Sequence, residues 1–227
     1  MVSCSGDEPS KEGSAPRPFV GNRYHVGVST GAFRSDLSFL GSAGFEASIR
    51  RRAVTASFDY RLDPAITLSG ALGAGTGGLL IARGQRYDIL PGVLIAGSFS
   101  RRLVEGRGAA PFVLFSATAG VSIASIQPAA SEADPFPRAG GFHAVDLRAG
   151  LTVGKTFGGV LSPYGAARLF GGPIFWQREG RTITGGDQYH YQLAAGLVAS
   201  LPGSVDLFAE GVPLGERAFV IGGGVGF

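Results

Sequence analysis

The last eleven residues, Arg217 to Phe227, read R-A-F-V-I-G-G-G-V-G-F. With the two-residue period of a strand, they have two unlike faces. Phe219, Ile221, Val225 and the terminal Phe227 share one face with Gly223. Ala218, Val220, Gly222, Gly224 and Gly226 make the other. One face is large and apolar, the other is small. In water such a terminal strand would offer a flat apolar edge for aggregation. The conflict disappears if lipid covers the apolar face and the edge pairs with the first strand of a closed barrel. In hydrocarbon every backbone polar group must find its partner within the protein.

The rest of the chain carries the same pattern. Tyr24, Val26 and Val28 alternate with His25, Gly27 and Ser29. From Ala43 to Arg61, Phe45, Ala47 and Ile49 are in one phase while Val54, Ala56, Phe58 and Tyr60 are in the other. The shift falls at Arg50–Ala53 and predicts either a bulge in one long strand or a tight turn; the bulge keeps the strand count even. Ile66, Leu68 and Leu72 oppose Thr67, Ser69, Ala71 and Gly73. Ile89, Val93, Ile95 and Phe99 oppose Gly92, Ala96, Ser98 and Ser100. Val113, Phe115, Val121 and Ile123 oppose Ser116, Thr118, Gly120 and Ser122. Val145, Leu147, Leu151 and Val153 oppose Asp146, Arg148, Gly150, Thr152 and Gly154. Tyr164 to Trp176 places Arg168 on the polar face, Gln188, His190 and Gln192 oppose Tyr189, Tyr191 and Leu193, and Asp206 and Glu210 follow on the next strand. That makes ten strands of about the 9–11 residues a tilted membrane strand requires, with eight as the main alternative. The turns near 62–65, 103–109, 158–162 and 202–204 are short. The loops near 34–42, 77–86, 126–143 and 178–187 are longer.

Which face points inward separates a soluble barrel from a membrane one. The polar face carries Asp59, Asp88, Asp146, Asp206 and Glu210 against Arg102, Arg148 and Arg168, with His190 among them. Together in a dry core these charges would be very costly. In a narrow polar lumen they can pair and meet water, which leaves the apolar faces for lipid. Tyr24, Tyr60, Tyr87, Tyr189 and Tyr191 lie near strand ends, where interfacial girdles are expected.

Glycine supplies 38 of the 227 residues, more than twice the usual share of roughly 7%. With no collagen period and abundant Phe, Leu and Val, this composition fits close-packed strands with small lumen positions. Residues 1–21 are rich in Pro, Gly, Ser and charge and read as a disordered leader preceding a barrel over 22–227. The net charge of +3 rests almost wholly on arginine. Its one dense run, Arg50-Arg51-Arg52, reads as a strand end or loop rather than a nucleic-acid patch. Cys4 is the single cysteine. It excludes an internal disulfide and reads as a free thiol in the leader rather than a lipid anchor, since no apolar signal segment precedes it. Uncharged residues 109–131 are interrupted by Pro, Gly, Ser and Thr and alternate like a strand, not a spanning helix.

A C-terminal phenylalanine with apolar residues two, six and eight positions before it resembles the closing strand of bacterial outer-membrane β-barrels. The resemblance covers that strand alone. It implies a transmembrane antiparallel up-and-down barrel, with both termini periplasmic and longer loops outside. It also implies that Phe219, Ile221, Val225 and Phe227 are the signal read by the barrel-assembly machinery. Outer-membrane lipid and other envelope proteins are the further partners expected.

The chemistry is sparse. His25, His143 and His190 have no metal-ligand spacing, and no cofactor is expected. His143 precedes Asp146 by three residues and His190 follows Asp187, but neither stands in the His-x-Ser-Asn pattern of a lipid-deacylating barrel. The Gly-rich runs 73–78 and 222–224 lack the Lys-Ser or Lys-Thr of a phosphate loop. A fold alone hosts many functions. The leading expectation is a non-catalytic structural or binding component of the envelope, whose charged lumen forms a salt-bridge plug. A small channel for polar solutes or ions and an outer-membrane hydrolase are the alternatives.

Overall fold

A computed structural model of the chain describes residues 23–40, 44–106, 110–129, 138–178 and 180–227. The leader, Cys4 and residues 130–137, the middle of the loop expected over 126–143, lie outside the described residues; most of the remainder of that loop is strand. Thirteen antiparallel strands form one sheet: β1 (Tyr24–Phe39), β2 (Phe45–Arg61), β3 (Ile66–Ala82), β4 (Gln85–Ile89), β5 (Gly92–Glu105), β6 (Phe112–Pro128), β7 (Gly140–Gly154), β8 (Leu161–Gly171), β9 (Ile174–Arg178), β10 (Arg181–Asp187), β11 (Tyr191–Leu201), β12 (Val205–Leu214) and β13 (Arg217–Gly226).

The sheet closes twice. Around one level the strands pair in the order β1, β2, β3, β5, β6, β7, β8, β11, β12, β13 and back to β1, a ring of ten. The seam is the pairing of the first and last strands, in register from His25↔Gly226 to Arg34↔Arg217. At the termini, Tyr24 N–H donates to the Phe227 carbonyl (3.1 Å) and Phe227 N–H donates to the Tyr24 carbonyl (2.9 Å).

Strands β8, β11, β12 and β13 have 11, 11, 10 and 10 residues, the length a tilted strand needs to cross a bilayer. β1, β2, β3, β6 and β7 have 16, 17, 17, 17 and 15 and run on past the others. There they recruit the short strands β4, β9 and β10. The second ring is β1, β2, β3, β4, β6, β7, β9, β10 and back to β1, eight strands in all. Ten and eight are therefore both present, at successive heights. The loops expected over 34–42, 77–86 and 178–187 are largely the strands that build this extension, and the segment expected as one strand over 164–176 is β8 and β9 joined at Gly172–Pro173.

The bulge or turn expected within β2 at Arg50–Ala53 is absent from that strand. Phe45, Ala47, Ile49, Arg51, Ala53, Thr55, Ser57 and Asp59 all face inward without a break. The environment changes, not the strand. At the eight-stranded end the apolar residues face in; at the ten-stranded end they face out. A bulge does lie at this height, but on the neighbour. Arg52 pairs with Gly77 and Ala53 with Gly75, which leaves Thr76 as the extra residue of β3. Gly77 takes the positive φ (109°) the bulge demands.

Around the ten-stranded ring the outward faces are apolar and exposed: Val28, Leu72, Ile95, Leu147, Leu169, Leu207, Phe219, Ile221 and Phe227 among them. Near the termini, Tyr24 stacks against Phe58, Tyr60 and Phe227 at 5.5–6.0 Å, an aromatic belt at one rim. Inside the eight-stranded ring lies the hydrophobic core: Leu37, Phe39, Ala47, Ile49, Leu80, Ala82, Tyr87, Ile89, Ala124, Ile126, Phe142, Ile174 and Trp176. Tyr87, expected in a girdle, is one of these buried residues.

Candidate functional site

The lumen is the candidate site, and strand number sets what fills it. Eight strands leave an interior that side chains can fill completely, whereas ten leave room to spare. The far end is accordingly solid. Trp176 lies directly opposite Phe142, meets Tyr87 edge-on at 5.0 Å and packs at 5.7 Å from Phe39; Trp176, Phe142, Phe39, Leu37 and Leu80 are each at most 1% exposed. Below this cap, the ten-stranded ring holds two cavities of about 340 Å³ each. Arg168 and Glu210 line both, so their ion pair stands between the two.

A single run of polar contacts crosses the inner wall. Tyr164 on β8 donates its hydroxyl to Glu210 on β12 (2.9 Å). Arg168 grips Glu210 with both terminal nitrogens (2.6 Å each), the bidentate geometry that fits guanidinium to carboxylate, and reaches the Gln192 amide oxygen on β11 at 3.3 Å. Gln192 donates to Glu216 in the β12–β13 turn (2.8 Å). Glu216 pairs with Arg148 (2.7 Å), which also holds Asp146 (2.6 Å). Small residues make the space: a Cβ on Gly150 would come within 2.6 Å of the Arg168 Cγ. Elsewhere in the lumen, Ser35 donates to Asp187 (2.8 Å), and nearer the termini the His25 ring lies 3.0 Å from Asp59 and 4.0 Å from Asp206.

Seven of the sequence-predicted lumen residues, Asp59, Arg102, Asp146, Arg148, Arg168, Asp206 and Glu210, face inward. Arg168 and Asp146 do not pair; each takes a nearer partner. Asp88 and His190 are corrections. Asp88 sits on β4 between Tyr87 and Ile89, whose side chains fill the core, so strand alternation turns it out to solvent. His190 is exposed in the turn before β11 and its carbonyl accepts from Phe170 N–H. Gln192 has the inward parity that alternation gives it. Glu216 escaped sequence reading because it lies in a turn, where alternation carries no signal. Tyr164 shares the parity of Arg168, four residues away, and was legible on that basis. His143 and Asp146 lie on opposite faces of β7, so this pair is not brought together. Phe219, Ile221 and Val225 on β13, with Phe227 just beyond it, form an exposed apolar outer face.

No protein-family model matches the sequence, and no curated protein matches it by sequence. Its backbone is similar to the translocator domain of the autotransporter NalP from Neisseria meningitidis, at 14% identity and a TM-score of 0.50, covering 91% of this chain and 89% of that one. Lower similarity links it to an outer-membrane channel from Pseudomonas putida F1 (11% identity, TM-score 0.38, 98% of this chain and 100% of that one). The toluene transporter TodX from Pseudomonas putida follows (9% identity, TM-score 0.32, 90% and 87%). The two concentric clues agree, an apolar outer wall around a charged bore and a backbone like that of a translocator domain: the chain has the fold of a bacterial outer-membrane β-barrel.

Proposed function

We propose that the protein is a closed, non-catalytic outer-membrane barrel that serves as a structural or binding component of the cell envelope. Both termini lie on the periplasmic side, and the eight-stranded extension projects outward. The observation that carries this reading is the dry cap. A bore stopped by Trp176, Phe142, Phe39, Leu37 and Leu80 offers no continuous aqueous path, and the Arg168–Glu210 pair divides what lies beneath. Short turns at the end bearing the termini and the long extension at the other support the orientation. Lipid covers the outer apolar faces, and the face of Phe219, Ile221, Val225 and Phe227 is what the barrel-assembly machinery reads. Binding to other envelope proteins would run through the projecting end.

The purified barrel in a planar lipid bilayer tests this. We expect insertion without steady conductance steps. Steady steps from the unaltered protein would establish the rival, a small solute channel, which the two charged cavities below the cap favour. Protease added to sealed vesicles holding the oriented barrel decides the topology, since only one end then loses its turns.

A further inference from the structure

We propose that the outer wall at the seam carries a binding site for the phosphate groups of a lipid headgroup, just above the apolar belt on the side opposite the termini. Arg217 on β13 is directly opposite Arg34 on β1, and Arg34 is directly opposite Arg50 on β2. Residues so placed have Cα atoms about 4.5–5.5 Å apart. All three face outward, as does Arg52, two residues along β2 from Arg50. Like charges directly opposite one another destabilise a sheet. A row of three, with a fourth alongside, calls for an anion.

The described residues do not supply it. Among the described residues, none of the four arginines is ion-paired with a carboxylate. Asp36 lies one step further up β1, and Glu46 accepts from Gln188 (3.3 Å). The four arginines line an open groove with Thr76, Gly77 and Leu79, and this groove holds no acidic residue. Arg51 lies behind it, facing the lumen, and adds to the positive field.

The source of the phosphate follows from the rows beneath. One step toward the termini, Phe219 and Arg52 flank Ala32; one step further, Ile221 and Val54 flank Thr30. Phe219, Ile221 and Val54 are exposed apolar side chains. Guanidinium groups stand at the height where apolar surface ends, so acyl chains can lie on the belt while the attached phosphates reach the arginines. A free phosphate would use only the upper half of this surface. Arginine suits the task because its planar fork matches two phosphate oxygens. The site lies on a barrel seated in a bilayer and so rests on the membrane placement already proposed.

The test compares the unaltered barrel with the triple variant Arg34→Gln, Arg50→Gln, Arg217→Gln. Binding is titrated in nanodiscs of phosphatidylcholine with increasing phosphatidylglycerol, and separately in neutral detergent with inorganic phosphate. Arg101→Gln, an exposed outward arginine at the other rim, serves as control. An arginine near a membrane surface contributes about 1 kcal/mol, roughly fivefold in affinity, so the triple variant should bind phosphatidylglycerol about a hundredfold more weakly. The control should match the unaltered protein. Equal binding by the triple variant, or equal loss in the control, overturns the site. Saturation by inorganic phosphate with no preference for the anionic lipid overturns the lipid assignment. Incorporation into the nanodiscs is measured first. A barrel that fails to incorporate refutes the membrane placement, whereas one that incorporates without anionic-lipid preference refutes only this site.

Discussion

Replacing Phe142 by Ala tests the cap from within. Phe142 is 1% exposed and lies opposite Trp176 across the β7–β9 pairing. The substitution removes a whole phenyl ring from a cluster of thirteen buried residues. Burying such a ring is worth about 1.5–3 kcal/mol by transfer. The cavity left behind raises the expected cost to about 3–5 kcal/mol, near the upper figure here because strands fixed in two interlocked rings cannot collapse into the gap. Trp176 is the chain's single tryptophan, so its fluorescence reports on this site alone. In the folded barrel its emission should be blue-shifted, as expected for an indole out of water. Urea titration of vesicle-inserted protein, followed at that wavelength, should show the variant's transition displaced by the stated energy. Its starting emission should be shifted to the red as water enters. Water-like emission from the unaltered protein would refute the dry cap. So would a variant that loses less than about 1 kcal/mol.

Glu210→Gln leaves the Arg168 guanidinium without its bidentate partner in a partly buried lumen; denaturant titration should show a loss of about 3 kcal/mol, and a change near zero would show that water fully replaces the carboxylate. Gly224→Val places a branched side chain against the His25 imidazole and the Val26 carbonyl; overpacking of about 1–3 kcal/mol is expected, read as a reduced folded fraction on refolding into detergent micelles, whereas Gly211→Val, at a position with no neighbour within 4 Å, should fold normally. The double variant Phe142→Ala, Trp176→Ala should raise bilayer conductance above that of the unaltered barrel, and unchanged conductance would mean that the Arg168–Glu210 pair alone closes the bore.

The ten-stranded wall was legible because lipid and lumen impose opposite demands on alternate residues. Val145 to Gly154 shows it cleanly: Leu147, Leu151 and Val153 face out, Asp146, Arg148 and Thr152 face in. The extension was illegible for a related reason. Alternation reports which residues are apolar, not which way the strand points them. Along β2 the greasy phase switches between Ile49 and Val54 while the backbone keeps its period. In sequence, that change of surrounding medium is indistinguishable from a bulge. Ser35, Leu37 and Phe39 looked like a loop because their neighbours Arg34, Asp36 and Ser38 are polar, yet that mixture is what a strand shows when water lies outside and a core within. The lumen network was half visible. Arg148, Arg168, Asp146 and Glu210 followed from parity, but the link through Gln192 to Glu216 depends on where the β12–β13 turn folds back, which no local pattern encodes.

The seam has a consequence for the order of events during assembly. The residues that zip it shut, Tyr24 and Phe227, are separated by nearly the entire described chain. Until the final strand arrives, β1 exposes an unsatisfied row of amides and carbonyls, and no earlier hairpin can substitute for the missing neighbour. Contacts of such long sequence separation form slowly. The polypeptide therefore stays unclosed, with a sticky margin on either side, until the circle is complete.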